Sequence, residues 1–164
     1  MDIAGSKLPL IQESAQRLGI SIINTRAADL LRSGQFPAAA FDRILLDAPC
    51  SGLGIIRRNP EAKWRLTSAD ITRLAATQAA MLGTAMRMLK PGGALLYSTC
   101  STSLEENEAV VQDFVSRQGG CVIENLNVFF PQFGELFTAD GMFRAWPHRH
   151  GMDGFFAARI RKNP

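Results

Sequence analysis

Long apolar runs are missing from this 164-residue chain. No stretch approaches the ~20 residues that a helix needs to span a bilayer, and Met1-Asp2-Ile3 does not open a secretory signal. Neither a membrane span nor an exported product is expected. Cysteine is scarce as well: there are three, an odd number, with no CxxC pair and no His/Cys set at zinc-finger spacing. A disulfide framework and a structural metal are therefore not expected, and a reducing cytoplasm is the compartment that fits. Internal repeats and low-complexity segments are absent too. What remains is 46% apolar and 20% charged residues, the composition of one ordered domain with its own core, residues 1–164.

The formal charge of +3 fits an anionic partner without requiring one. Its distribution says more. From Ile55 to Arg65 four Lys/Arg stand against one acid, and from Gly141 to the end five against one. Taken alone, such stretches read either as a solvated face or as a nucleic-acid contact.

Periodicity and punctuation give the layout. Leu8, Ile11, Ala15 and Leu18 recur at helical spacing, with Ser6 as candidate cap and Gly19 as terminator, and a short strand is expected at 20–23. Ile44-Leu45-Leu46, closed by Asp47-Ala48-Pro49, reads as a strand buried on both faces. Between Ser68 and Leu89, Ile71, Leu74, Ala75, Leu82, Ala85 and Leu89 trace one helix face, with Thr67 and Asp70 at capping-box spacing. Lys90-Pro91-Gly92-Gly93 reads as a break, and Ala94 to Ser98 as a second buried strand. Ser103 and Glu106 have the spacing of another capping box, opening a helix whose inner face is Val110, Val111, Phe114 and Val115. The region after Cys121 is expected to close the sheet with an antiparallel hairpin ending at 155–160. Strands alternating with helices imply an α/β fold on a mostly parallel sheet, with ligand sites beyond the carboxyl ends of the strands. Asp47-Ala48-Pro49-Cys50 and Ser98-Thr99-Cys100 both fall at such ends.

Asp47-Ala48-Pro49-Cys50-Ser51-Gly52 paired with Ser98-Thr99-Cys100-Ser101 resembles the RNA cytosine-5 methyltransferases of the Sun/Fmu type. The likeness continues through Ile56-Arg57-Arg58-Asn59-Pro60, Lys63-Trp64, Leu89-Lys90-Pro91-Gly92-Gly93, Glu105-Glu106-Asn107, Pro147-His148 and Asp153-Gly154-Phe155-Phe156, covering nearly the whole chain. It implies a Rossmann-like class I methyltransferase sheet, S-adenosylmethionine as methyl donor, and RNA, most plainly ribosomal RNA, as substrate. It implies further that Cys100 is the nucleophile, that Cys50 helps the product leave, and that Asp47 holds the cytosine edge and borders the donor. DNA cytosine methyltransferases attack with the Pro-Cys residue instead, so the second cysteine favours RNA. Cys121 lies outside both motifs and reads as core.

The chemistry accounts for these residue types. Carbon 5 of cytosine is too poor a nucleophile to attack a methyl donor until a thiolate has added at carbon 6, and an acid at ring nitrogen 3 keeps the adduct from accumulating charge. Each cysteine taken singly could equally be a small buried hydrophobe, and Asp47 could instead cap its loop. Arg57, Arg58, Lys63 and Arg65 are expected to meet phosphates, and Trp64 to stack on a base or to anchor its loop in the core. The target base would have to be flipped or already unpaired.

The resemblance also marks a gap. The family's glycine-rich donor loop, which follows its first strand, has no counterpart here, and Met1-Asp2-Ile3 matches the end of its second strand. Asp2 then corresponds to the acid that holds the donor ribose, and Asp29 to the acid near the adenine, although a plain surface acid is as good a reading of Asp29. The expected sheet lacks its first strand, which leaves backbone groups in need of other partners. The chain alone is expected to bind the donor weakly or not at all. A non-catalytic RNA-binding remnant of such an enzyme is the alternative.

Overall fold

A computed structural model describes residues 1–32, 34 and 36–164. They form two compact units, Met1–Ser33 and Gly34–Pro164.

The first unit is built on helix α1 (Leu8–Arg17). Its end follows the expected pattern, with the N–H of Gly19 bonded to the Gln16 carbonyl and that of Ile20 to the Ala15 carbonyl, the paired bonds of a Schellman motif. Its start does not. Ser6 lies inside a 3-10 turn, Gly5–Lys7, that runs straight into the helix, so no side chain caps α1. Pro9, in the first turn, has no N–H to satisfy. The expected strand at 20–23 is also absent: Ile22 and Ile23 are exposed, and the unit's backbone pairing is one parallel bridge, Asp2 to Ala27. A β-branched run becomes a strand only where a neighbour offers its ladder, and among the described residues none pairs with Ile20–Ile23.

The second unit holds the core. Strand β1 (Phe41–Asp47) leads through a short helix, α2 (Ala62–Arg65), into the long helix α3 (Ser68–Met88). The capping box at the start of α3 forms as read: the Thr67 hydroxyl accepts from the Asp70 N–H, and the Asp70 carboxylate accepts from the Thr67 N–H. Strand β2 (Leu89–Thr99) follows directly. The Lys-Pro-Gly-Gly segment does not break the chain but bulges within this strand. Phe41 pairs with Leu89 and Arg43 with Ala94, five steps on β2 against two on β1, and Gly92 at φ +71° turns the extra residues out.

Helix α4 (Glu108–Gln118) buries Val110, Val111 and Phe114, with Val115 half-buried. Then come β3 (Cys121–Glu124), short helix α5 (Leu126–Phe129), β4 (Phe143–Ala145), short helix α6 (Pro147–His150) and β5 (Phe155–Lys162). The strand order is β1-β2-β5-β3, with β4 also on β5. β1 and β2 are parallel, and β5 runs antiparallel to each of its partners, which gives the expected closing hairpin at the C-terminus. The sheet is thus mixed, on an α/β plan.

Leu82, Leu89, Leu95, Tyr97, Val111 and Phe156 are almost wholly buried. β1 is less covered than its sequence suggests: Leu46 is 4% exposed but Leu45, on the opposite face, is 67% exposed. Helix α3 packs on the sheet at β1 and β2, and adjacent strand residues face opposite ways, so one helix covers only one of them. β1 also stands at the sheet edge. Among the described residues no helix is long and apolar enough to cross a membrane.

Candidate active site

The parallel register sets Asp47 of β1 opposite Ser98 of β2, so both chains leave the sheet side by side, joined by the Ala48 N–H to the Ser98 carbonyl at 2.9 Å. Three residues on from Asp47 comes Cys50, and two on from Ser98 comes Cys100. Their sulfurs lie 3.3 Å apart, and both thiols are free. Two residues fifty positions apart in sequence thus meet as a result of strand pairing.

The loops carrying them are tied together in two ways. The first is backbone: the Gly54 N–H donates to the Cys100 carbonyl at 2.9 Å and the Gly154 N–H to the Gly54 carbonyl at 2.8 Å. A Cβ at Gly54 would run into the carbonyl oxygens of Gly154 and Cys100, so only glycine permits this approach. The second is Glu106, fully buried, whose carboxylate accepts from the Ser51 N–H (2.8 Å), the Ser51 hydroxyl (2.5 Å), the Ser101 hydroxyl (2.6 Å) and the Gln78 amide (3.0 Å). The Gln78 amide also donates to the Pro49 carbonyl, and Tyr97 donates its hydroxyl proton to the Glu106 carbonyl. Arg144, buried and ion-paired with Glu108, braces the Cys100 loop from its other side: its guanidinium donates to the Thr102 carbonyl at 2.6 Å and lies 4.4 Å from the Trp146 ring.

The expected capping box of Ser103 and Glu106 therefore does not exist. Ser103 bonds to Glu105, α4 starts two residues after Glu106, and Glu106 points into the core. The four donors on its carboxylate outweigh the one N–H that a capping role would offer.

The two thiols differ electrostatically. Cys100 is lowered to about 7, chiefly because the Cys50 S–H can donate to its thiolate, and against the opposing effects of burial and of the Asp47 and Glu106 charges. Cys50 is raised, by the same hydrogen bond, by deeper burial and by the Cys100 charge. Cys100 is thus the sulfur that ionises and Cys50 the one that keeps its proton. Cys121 is buried at the start of β3, as a core residue should be, and burial raises its thiol.

The remaining candidates are placed as follows. Asp47 is exposed at the end of β1, with the Ser98 hydroxyl 3.4 Å from its carboxylate. Arg57 and Arg58 both pair with Asp153, at 2.7 and 2.9 Å. Trp64 is 80% exposed with the Lys63 ammonium 4.7 Å from its ring, which removes the reading of a core anchor. Arg65 is exposed beside it. In the first unit, Asp2 accepts from the Ala4 N–H and pairs with Lys7, while Asp29 accepts from the Leu31 N–H and pairs with Arg32. Each of these two carboxylates is partly exposed.

Sequence reading missed Glu106, Gln78, Asp153 and Arg144. Glu106 and Asp153 stood inside matched motifs without being given these roles, and Gln78 carried a signal of its own, an amide in the middle of the apolar stripe of α3, where a buried polar group needs partners.

A family model described as 16S rRNA methyltransferase RsmB/F matches residues 1–161. Among curated proteins, the chain is 38% identical to the "Probable ribosomal RNA small subunit methyltransferase B" of Bacillus subtilis, covering 99% of this chain and 37% of that protein. It is also 38% identical to the ribosomal RNA small subunit methyltransferase F of Aeromonas hydrophila, covering 99% and 34%. Among solved structures, NSun6 from Pyrococcus horikoshii with SFG superposes with a TM-score of 0.78 at 30% identity, over 98% of this chain and 40% of that one. The chain spans about a third of the length of the curated relatives it matches.

Proposed function

Because the chain belongs to the 16S rRNA methyltransferase RsmB/F family, we propose that it carries the two-thiol centre of an enzyme that methylates carbon 5 of a cytosine in ribosomal RNA. The observation behind this reading is the Cys50–Cys100 pair itself: two free sulfurs at 3.3 Å, one acidified and one held protonated, at the ends of adjacent parallel strands. The family's methyl donor is S-adenosylmethionine, which when bound supplies an electrophilic methyl group.

Cys100, its thiol lowered to about 7, adds as the thiolate to carbon 6 of the ring; the electron pair of the 5,6 double bond moves into a 4,5 double bond, and ring nitrogen 3 takes a proton from the solvent. In this reading Asp47, exposed at the end of β1, holds that edge of the base. Once carbon 5 carries its methyl, loss of its remaining proton to solvent water expels the Cys100 thiolate and restores the 5,6 double bond, and nitrogen 3 returns its proton to the solvent. Cys50 lies against the departing sulfur, and its S–H stabilises the thiolate as the carbon–sulfur bond breaks. Arg57 and Arg58 keep outward N–H groups free for phosphates even while paired with Asp153, and exposed Trp64 with Lys63 offers a face for an unpaired base. Asp2 and Asp29 would bind hydroxyl and amino groups of the donor nucleoside.

The test uses an enzyme that carries this region at the length of its relatives, with a cytosine-containing RNA. Cys100→Ala is expected to abolish methylation, and Cys50→Ala to accumulate a covalent protein–RNA adduct visible on denaturing gels. Full activity in Cys100→Ala would sink the assignment, and an adduct that maps to Cys50 would turn the reading towards the mechanism used on DNA.

A further inference from the structure

We propose that Glu106 is the positioning residue of the two-thiol centre, a buried carboxylate that ties the Cys50 loop to the Cys100 loop and places a fixed negative charge behind Cys100. The proposal deepens the methyl-transfer reading above and rests on it for its purpose, though not for its geometry.

The geometry is unusual for a structural acid. Glu106 is fully buried, yet among the described residues none of its hydrogen-bond partners carries a charge. Burying a carboxylate without a cation is costly unless every lone pair is used, and here each oxygen has two donors. One oxygen takes the Ser51 N–H and the Gln78 amide; the other takes the hydroxyls of Ser51 and Ser101. Because both hydroxyls converge on that second oxygen, their own oxygens are only 3.0 Å apart. Ser51 and Ser101 are the residues directly after Cys50 and Cys100. The carboxylate therefore fixes the distance between the two loops one residue from each sulfur. Asn107 completes the hold on the second loop, accepting from the Thr99 hydroxyl at 2.6 Å and donating to the Ser101 carbonyl at 2.9 Å.

The charge has a second effect. Cys100 is faced by the Cys50 thiol, by Asp47 from the end of β1 and by Glu106 from before α4, and both carboxylates oppose its ionisation. Tyr97, under the same loop, is raised chiefly by burial and further by the charge of Glu106. The hydrogen bond from Cys50 pulls Cys100 down, and Glu106 limits the fall. An attacking thiol works best with its pKa near ambient pH, since a more acidic thiolate is a weaker nucleophile. Glu106 in this account both spaces the sulfurs and keeps Cys100 reactive.

The experiment needs neither RNA nor methyl donor. Phenylarsine oxide condenses with two neighbouring thiols, forming two arsenic–sulfur bonds and releasing water, and the product resists excess glutathione but yields to dithiothreitol. Intact-mass spectrometry of the native chain is expected to show one glutathione-resistant arsenical bridging Cys50 and Cys100. Glu106→Ala should lower that resistant fraction at least ~10-fold, as loss of a fixed geometry would. Glu106→Gln keeps the bridge, with the amide oxygen accepting from Ser51 N–H and Gln78 while the two hydroxyls rotate to accept from its NH₂. It should keep capture within twofold, while the pH midpoint for iodoacetamide alkylation of Cys100 falls by about 0.5–1 unit as the opposing charge is removed. A purely structural glutamate would not produce this downward shift.

Undiminished capture in Glu106→Ala would overturn the spacing role. If that variant does not fold by circular dichroism, the Ser51→Ala/Ser101→Ala double variant takes its place, with the same loss expected and the same reading of its absence. A midpoint that stays or rises in Glu106→Gln would overturn the charge role whatever the other variants do. Failure of the native chain to hold the arsenical would remove the geometry on which the proposal stands, whereas failure of methylation with capture intact would count against the methyl-transfer reading alone.

Discussion

The two units of the chain use apolar residues in opposite ways. In the first, Ile3, Leu10, Leu18 and Ile22 are each more than 60% exposed and Ala15 alone is buried among the described residues. In the second, Leu82, Leu95, Tyr97 and Ile160 are inaccessible, and the strands share one continuous ladder. Both units show helical periodicity, so periodicity does not distinguish them. What distinguishes them is a sheet for the apolar stripe to meet. α1 has the sequence of an amphipathic helix, yet its Leu10 and Ile11 are exposed, while α3 lies on β1 and β2. A helix of ten residues is marginal without tertiary packing, whereas α3 is long, boxed at its start and packed.

The sharpest way to break this comparison is a pair of leucine truncations. Leu95→Ala, in the middle of β2, should cost about 2–5 kcal/mol in urea unfolding, from lost burial and the cavity left behind. Leu10→Ala removes a side chain that is mostly in water and should stay within about 0.5 kcal/mol. A cost above ~2 kcal/mol for Leu10→Ala would mean that α1 has a packed face in solution, and the contrast would fail. A smaller effect separates the helix starts. Thr67→Ala removes a hydroxyl that accepts the Asp70 N–H and should cost about 1 kcal/mol, whereas Ser6→Ala removes one that caps nothing and should cost no more than a few tenths.

The same contrast explains what could be read before the structure. α3, its capping box, the cores of β1 and β2 and the closing strand β5 were legible because each is specified locally by period, cap or turn chemistry and then confirmed by packing. The two cysteines were legible as loop residues at strand ends. Their separation was not, because it follows from the register of Asp47 against Ser98 and from two glycines that meet across loops a hundred residues apart. Glu106 was misread for a related reason. Ser103 and Glu106 satisfy the spacing of a capping box, but the bonds that decide the matter come from Ser51 and Gln78, far off in sequence. The strand expected at Ile20–Ile23 failed in the converse way: its propensity was local, and the partner it needed is absent from its surroundings. The basic segment was legible as exposed cation, yet nothing in the sequence tied Asp153 to Arg57 and Arg58.

The smallest expected effect concerns the acids of the first unit. Asp2 and Asp29 each serve the backbone locally, one at the Ala4 N–H and one at the Leu31 N–H, and each lies 3.7 Å from a cation on its own segment. Asparagine can accept the same backbone bond, so Asp2→Asn and Asp29→Asn would remove only the ion pairs, which at exposed positions contribute about 0–1 kcal/mol and are screened by salt. Together they should change urea stability by under about 1 kcal/mol in low salt and by less in high salt. That outcome would leave both carboxylates free of structural duty and available to a nucleoside's hydroxyl and amino groups. A larger, salt-resistant loss would instead show that these acids hold the first unit together, and the unit would then be better packed than its exposed leucines imply.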